Sequence, residues 1–301
     1  MTNDRPLISV IVCTVNRSVD LIRTLSYFVD GEDYAPFEVI VVDQRDDLDP
    51  TLGKLIEANA DRLRLTRRDH KSLPKSRNAE IRLARGSILV FVDDDTEILP
   101  GFLNAQCAAL SDAEIWGSTG PVFVPGASLD PVSAEWLTPI ELQEISACRV
   151  SRWDLNFAYE PSYLYGCNMA IRRDALEKIG LFNETLEIHC DDAEISSRIR
   201  WKGGHLRYTP QARLIHHRVL EGGTRDDPIR SPEYVRKYVR SSFFWARKTQ
   251  IDPAWAIWRL ARVFIICRRP LGIRQFVGFC QGVIEGHRDY VRQGRPGPLN
   301  R

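Results

Sequence analysis

Residues 87–97 read SILVFVDDDTE, in which β-branched and aromatic side chains from Ile88 to Val92 pass without a break into Asp93, Asp94 and Asp95. An apolar run without alternation suits a strand covered on both faces, which confines the chain to folds with helices on either side of a sheet. Three adjacent carboxylates at the end of such a strand repel one another unless a cation lies among them. Donors that are all oxygen favour a hard ion such as Mg²⁺ or Mn²⁺, which commonly takes further ligands from substrate phosphates. Taken alone, the triplet fits a polar cap on the following helix equally well. The surrounding chain has to decide.

Two further runs have the same character. Leu7 to Cys13 (LISVIVC) ends in Thr14-Val15-Asn16-Arg17, and Phe37 to Val42 (FEVIVV) ends at Asp43. Between the runs lie segments of helical spacing, Asp20–Phe28, Thr51–Ala60 and Leu73–Ala84, the last carrying Lys75, Arg77 and Asn78 in its first turns. A short strand is expected at Leu63–Thr66. Strands alternating with helices predict a doubly wound, mostly parallel α/β sheet, whose ligands bind at the carboxyl ends of the strands. That rule places Thr14–Arg17, Asp43 and Asp93–Asp95 on one rim. Neither G-x-G-x-x-G nor G-x-x-x-x-G-K-[ST] occurs, so dinucleotide and P-loop readings lose their main support.

Further on, Ile115–Phe123 reads as a strand pair broken by glycines, and Tyr163–Ile171 as a strand followed by a helix over Arg172–Ile179. Asp191-Asp192 opens a helix that runs from Ala193 to Trp201. His205–His217 alternates like a strand. A carboxylate pair at a helix start is in many proteins only a cap.

Composition bounds the class. The 301 residues are 44% hydrophobic and 27% charged, ordinary values for a water-soluble globular chain. Seven scattered cysteines form no C-x-x-C pair, which points to reduced thiols in the cytoplasm. The start, MTNDRPLISV, lacks the features of a signal peptide, and no run approaches the ~18–20 apolar residues that span a bilayer. The net charge of +1 hides an asymmetry. Residues 228–301 hold 15 Lys and Arg against 4 Asp and Glu, which leaves 26 against 36 in residues 1–227.

LISVIVCTVNR, VVDQRDD, LPKSRNAEIRLARGSILVFVDDD, YGCNMAIRRDALEKIGLFNE and DDAEISSRIRWKGG, in this order, resemble the family 2 glycosyltransferases of the GT-A fold. The likeness covers residues 7 to about 250. It implies a Rossmann-like, mostly parallel central sheet flanked by helices, with a nucleotide-sugar half over about 1–115 and an acceptor half over about 116–227; the basic residues 228–301 are expected as a helical C-terminal extension. It also implies inverting transfer from a UDP- or dTDP-linked sugar to an acceptor hydroxyl. Asp95 with Asp93 would hold the divalent metal, and Asp93 or Asp94 would contact the ribose. Asp43 would accept from the base, with Thr14, Val15, Asn16 and Arg17 lining the same pocket. Arg77, Lys75 and Asn78 would face the diphosphate or ribose. Asp192 would be the general base, supported by Asp191. His216 stands where some GT-A enzymes place a third metal ligand, and His217 would point the other way along a strand.

The tail, with helical patterns over Tyr234–Lys248, Ala254–Cys267 and Gln275–Tyr290, mixes tryptophan with arginine. It suits either peripheral contact with an anionic membrane or packing back on the acidic body. Nucleic acid is not expected as a partner. Two other functions compete. A haloacid dehalogenase-type phosphatase also places D-x-D after a strand, but there Thr or Val follows two places on, where this chain has Glu97. A non-catalytic sugar-nucleotide binder would have no use for Asp192. Donor sugar and acceptor stay open.

Overall fold

The computed structural model describes residues 5–32, 34–44, 49–130, 132–146, 152–186, 189–219, 231–249, 253–266 and 272–293. The first half winds β1 (Ile8–Thr14), β2 (Phe37–Asp43), β3 (Leu63–Arg67) and β4 (Ile88–Asp93) around the helices α1 (Ser18–Ser26), α2 (Pro50–Ala58) and α3 (Leu73–Leu83). These four strands are parallel, in the order β3-β2-β1-β4. The second half supplies β5 (Thr96–Ile98), β6 (Ile115–Thr119), β7 (Val122–Phe123), β8 (Asn168–Arg172), β9 (His205–Tyr208) and β10 (Leu214–His216). Strand β8 runs antiparallel between β4 and β6, and β9 closes the seven-stranded sheet parallel to β6. The remaining strands form a small second sheet, β5-β10-β7.

Side chains alternate across the strands as the pleat requires. Val10, Val12, Val39, Val41 and Val90 face a cluster with Leu21, Leu25 and Phe28 of the first helical layer and with Phe102 of α4 (Phe102–Ala109). Ile11, Ile40, Leu89 and Phe91 face the opposite cluster. That cluster is completed by Ile81 of α3, Leu176 of α6 (Arg173–Ile179), and Ile195 and Ile199 of α7 (Asp191–Trp201). A further helix, α5 (Pro139–Ser146), lies in the irregular middle of the chain. Burial on both faces is why the strands carry no polar alternation.

Two strands are shorter than their sequence pattern. Tyr163–Cys167 lies outside β8, because its amides are taken elsewhere: Leu164 N–H donates to Ser196 on α7 at 2.9 Å and Tyr165 N–H to Thr119 at 3.3 Å. His205–His217 is two strands in two sheets, interrupted around Pro210, which has no amide proton for a ladder.

The C-terminal segment forms α8 (Pro232–Lys248), α9 (Pro253–Ile266) and α10 (Ile273–Gln293), with an apolar cluster of their own around Val235, Val239, Phe243, Leu260 and Phe279. Helix α10 lies directly on α8 through Gly278, Gly282 and Gly286. A β-carbon there would come within 2.3, 2.5 and 2.6 Å of the carbonyl oxygens of Pro232, Arg236 and Arg240. The small-residue spacing lets the two backbones touch, so the tail is a packed unit rather than a loose appendage. Cys267, the expected end of the middle helix, falls outside the described residues.

Candidate active site

Strand register assembles the rim. Thr14 pairs with Asp43 across β1 and β2, and Cys13 pairs with Asp93 across β1 and β4. The expected clustering of Thr14, Asp43 and the acidic triplet at the carboxyl ends therefore follows from backbone pairing alone. Asp43 is fully buried, Val15 is buried, and Asn16 adopts a left-handed φ of 56° that turns the chain towards α1.

The three aspartates have three environments. Asp94 is buried, accepts from Thr14 Oγ1 at 2.7 Å and from Arg17 Nη1 at 3.1 Å, and is still pushed up to about 6 because burial outweighs both donors. Asp95 is also buried, and burial opposes its charge. Its contact with His216 and the Val219 amide outweigh that and hold its carboxyl below the usual range. Asp95 Oδ2 accepts from Val219 N–H at 2.8 Å, and its main-chain oxygen accepts from His217 N–H at 2.9 Å. The remaining oxygen, Oδ1, faces His216 Nε2 at 3.2 Å, the contact that helps hold Asp95 charged, and has no other partner among the described residues. Asp93 is the open member, with a third of its side chain exposed and an oxygen 3.8 Å from His216 Nε2.

Asp93, His216 and Cys167 bring a carboxylate oxygen, an imidazole nitrogen and a thiol sulfur within 4.8 Å of one another. The fit to a divalent ion is good: three convergent donors, the adjacent Oδ1 of Asp95, and a half-buried site. This shifts the expected emphasis. Asp95 spends one oxygen and its carbonyl fastening the segment after β10, while Asp93 stays partly exposed and lines the cavity. Cys167 was not anticipated from sequence. A signal was available, since β8 pairs Asn168 with Val92 and so sets the preceding residue opposite Asp93. His217 turns to Glu97, with Nε2 3.5 Å from its carboxylate, as strand alternation requires.

Arg77 links this cluster to the second one. Its guanidinium is buried between Phe91 and Phe182, with ring centroids 5.4 and 5.3 Å from Cζ. Nη1 donates to Asp191 Oδ2 and Nη2 to the Gly166 carbonyl, each at 2.8 Å, and Nη2 lies 3.8 Å from Asp93. Each terminal nitrogen gives one N–H to a protein group, so Arg77 holds the acids in position while its guanidinium also lines the cavity. Asn78 is tied to the protein as well. Its amide donates to Phe182 O and Glu184 Oε1 at 2.9 Å and accepts from Phe182 N–H at 2.8 Å, clamping the loop before α7. Lys75 is exposed on α3 and does not line the cavity.

Asp191 and Asp192 form the first turn of α7, behind Cys190 in a left-handed conformation. Asp192 accepts from Ala193 N–H at 2.7 Å and Gly166 N–H at 3.1 Å. A β-carbon at 166 would sit 3.1 Å from the same carboxylate oxygen, so glycine there lets the amide reach it. Burial, reinforced by the charge of Asp191, pushes Asp192 up to about 7. Asp192 opens onto a cavity of 540 Å³ that Asp93, Arg77, His216 and Cys167 also line. Its far wall is aromatic and apolar: Tyr163 and Tyr165, then Tyr238, Trp245 and Leu260 from α8 and α9. Nothing in the sequence pattern of the tail marked those last three as site residues.

Residues 9–180, more than half of the chain, match the glycosyl transferase family 2. The chain belongs to that family. This family-2 chain is 26% identical over 267 residues to the uncharacterized protein y4gI of Sinorhizobium fredii (strain NBRC 101917 / NGR234), covering 83% of this chain and 29% of that one. It is 25% identical over 247 residues to the O-antigen biosynthesis protein RfbC of Myxococcus xanthus, covering 77% and 19%. The chain thus spans less than a third of either relative's length. In fold it is similar to GalNAc-T7 crystallised with UDP, GalNAc and Mn²⁺, with a TM-score of 0.61, 19% identity, and coverage of 89% of this chain and 59% of that one. The GT-A architecture expected from the motifs is what the sheet order displays, and family membership displaces the phosphatase alternative.

Proposed function

We propose that this chain transfers a sugar from a nucleoside diphosphate donor, UDP- or dTDP-linked, to an acceptor hydroxyl with inversion. The observation that carries the reading is the pairing of two unlike acidic clusters across one cavity, with Asp93 beside His216 on one side and Asp192 on the other. Thr14–Arg17 and Asp43 bind the nucleoside end of the donor. Asp93 and His216, with Asp95 and Cys167 beside them, hold the divalent ion, Mn²⁺ or Mg²⁺. When bound, that ion supplies positive charge where the diphosphate departs.

Asp192 accepts the proton of the acceptor hydroxyl, whose oxygen forms a bond to the anomeric carbon as the bond to the diphosphate breaks on the opposite face. A carboxylate poised near neutrality suits that task better than one held far below it. Asp191, tied to Arg77, keeps the helix start in place and raises the basicity of its neighbour. The aromatic wall over Asp192 fits an acceptor with a sugar ring or an apolar portion, in keeping with one relative being an O-antigen biosynthesis protein.

A thermal-shift screen of UDP-, dTDP- and GDP-sugars, with Mn²⁺ and with chelator, tests the reading. A ligand that binds only the folded chain raises its melting temperature. An upshift from a UDP- or dTDP-sugar that requires Mn²⁺ is expected, and flat curves for every donor would sink the proposal.

A further inference from the structure

The outer face of α10 is an exposed apolar feature that the transfer chemistry leaves unused. At about 100° per residue, Ile273, Val277, Cys280, Ile284, His287 and Val291 fall on one line with Phe276 at its edge. Ile273 is 85% exposed, Val291 63%, Phe276 59% and Ile284 58%. The stripe runs for about 27 Å at the helical rise per residue. It is not a fraying end, because the opposite face is locked on α8 through Gly278, Gly282 and Gly286.

Charge sorts across the same helix. Its two acidic residues both face α8, where Glu285 accepts from Arg236 and Asp289 accepts from Arg240 at 2.7 Å. Its exposed charged residues, Arg274, Arg288 and Arg292, are all basic and flank the stripe on one side. A helix with its acids neutralised inward and its apolar and cationic groups turned outward carries the pattern of an interfacial helix. A second copy of the chain would bring arginines against arginines on a face without acids. No helix among the described residues is long and apolar enough to cross a membrane, so insertion through the bilayer is not what this face prepares.

We propose that the outer face of α10 docks on an anionic lipid surface, with Phe276 and Ile284 inserted at the headgroup boundary and Arg274, Arg288 and Arg292 against lipid phosphates. This inference is independent of the transfer reading. It also reconciles the two fates open to the tail, since α8 packs inward and α10 presents its reverse side outward.

Flotation of the full chain with vesicles of phosphatidylcholine, alone or mixed with phosphatidylglycerol, provides the test. Binding to the mixed vesicles is expected to exceed binding to the neutral ones by about tenfold or more at low salt, and to weaken as salt is raised. Phe276→Asp with Ile284→Asp should lower binding to the mixed vesicles by a similar factor with an unchanged melting temperature. Arg288→Glu with Arg292→Glu should do so without touching the apolar stripe, which covers the case of a misfolded first variant. Equal binding to both vesicle types, or binding that ignores both pairs, overturns the proposal. A dimer in light scattering that Phe276→Asp with Ile284→Asp dissociates would also overturn it, assigning the face to a second copy.

Discussion

The acidic cluster after β4 and the one at the start of α7 have similar sequences and differently partnered carboxylates. Asp94 and Asp95 are met by Thr14, Arg17, His216 and the Val219 amide, so each carboxylate oxygen faces a partner in the fold. At α7 the buried Arg77 donates to Asp191, and Asp192 is left with two amide donors, burial and a like charge beside it. Asp95, although buried, is held charged by His216 and the Val219 amide, Asp94 is pushed up to about 6, and Asp192 goes further, to about 7. Burial raises both Asp94 and Asp192, and the like charge of Asp191 adds to it at Asp192 where Thr14 and Arg17 oppose it at Asp94.

The widest separation between the clusters should come from Asp192→Asn. Transfer should fall about a hundred- to ten-thousand-fold, the range for losing a positioned general base, while Mn²⁺-dependent nucleotide binding by calorimetry stays near wild type. Unchanged turnover would remove Asp192 from the base role and merge the two clusters into one binding site. It would also restore the reading of a chain that binds without catalysis.

Within the first cluster, Asp93→Ala should weaken nucleotide binding about ten- to a hundredfold in Mn²⁺ and hardly at all in chelator, as expected for a lost ligand. Asp95→Ala should act differently, since it strands the Val219 amide. A destabilisation of about 1–3 kcal/mol in thermal unfolding should accompany a smaller loss of binding. If the two variants are indistinguishable, the division between an open ligand and a fastening residue is wrong.

The second cluster has a pH signature. Asp192 must be unprotonated to act, so transfer should rise through pH of about 7. Asp191→Asn removes the like charge but not the burial that is the larger cause, so the acidic limb should move down only in part. Stability carries the complementary sign. Between the ordinary carboxylate value of 3.8 and about 7, the folded chain keeps a proton that the unfolded chain has released. The site therefore costs stability as pH rises across that window, and Asp192→Asn should flatten the slope. An unmoved limb in Asp191→Asn would mean that the two acids do not interact.

How much of this was legible in the sequence depends on the kind of contact. Ile8–Thr14, Phe37–Asp43 and Ile88–Asp93 were readable because two-sided burial writes itself as an unbroken apolar run, and parallel order then puts their ends on one rim. Asp192 was readable through the resemblance of its block. Arg77 and Asn78 were found by motif but their protein partners were not, because hydrogen-bond direction depends on Phe182, Gly166 and Asp191 arriving from more than eighty residues away. Trp245 and Leu260 were invisible as site residues. Amphipathic spacing says which face of a helix is apolar, not what that face covers, and the same limit left the outer side of α10 undivided from its inner side.

The smallest effect, and the sharpest probe of the first cluster, belongs to Cys167. Its thiol is buried beside Asp93 and His216, and burial pushes its pKa well above that of a free cysteine. Cys167→Ser keeps size and polarity, so transfer in Mn²⁺, a hard ion served by oxygen and nitrogen, should change by about threefold or less. A softer ion should report the sulfur directly. Co²⁺ added to the wild-type chain should give a thiolate-to-metal absorption band in the near ultraviolet that Cys167→Ser lacks. Asp192→Asn, which removes none of these donors, should retain it. A wild-type Co²⁺ spectrum without that band would confine the metal to Asp93, His216 and Oδ1 of Asp95, making the first cluster a site of oxygen and nitrogen alone.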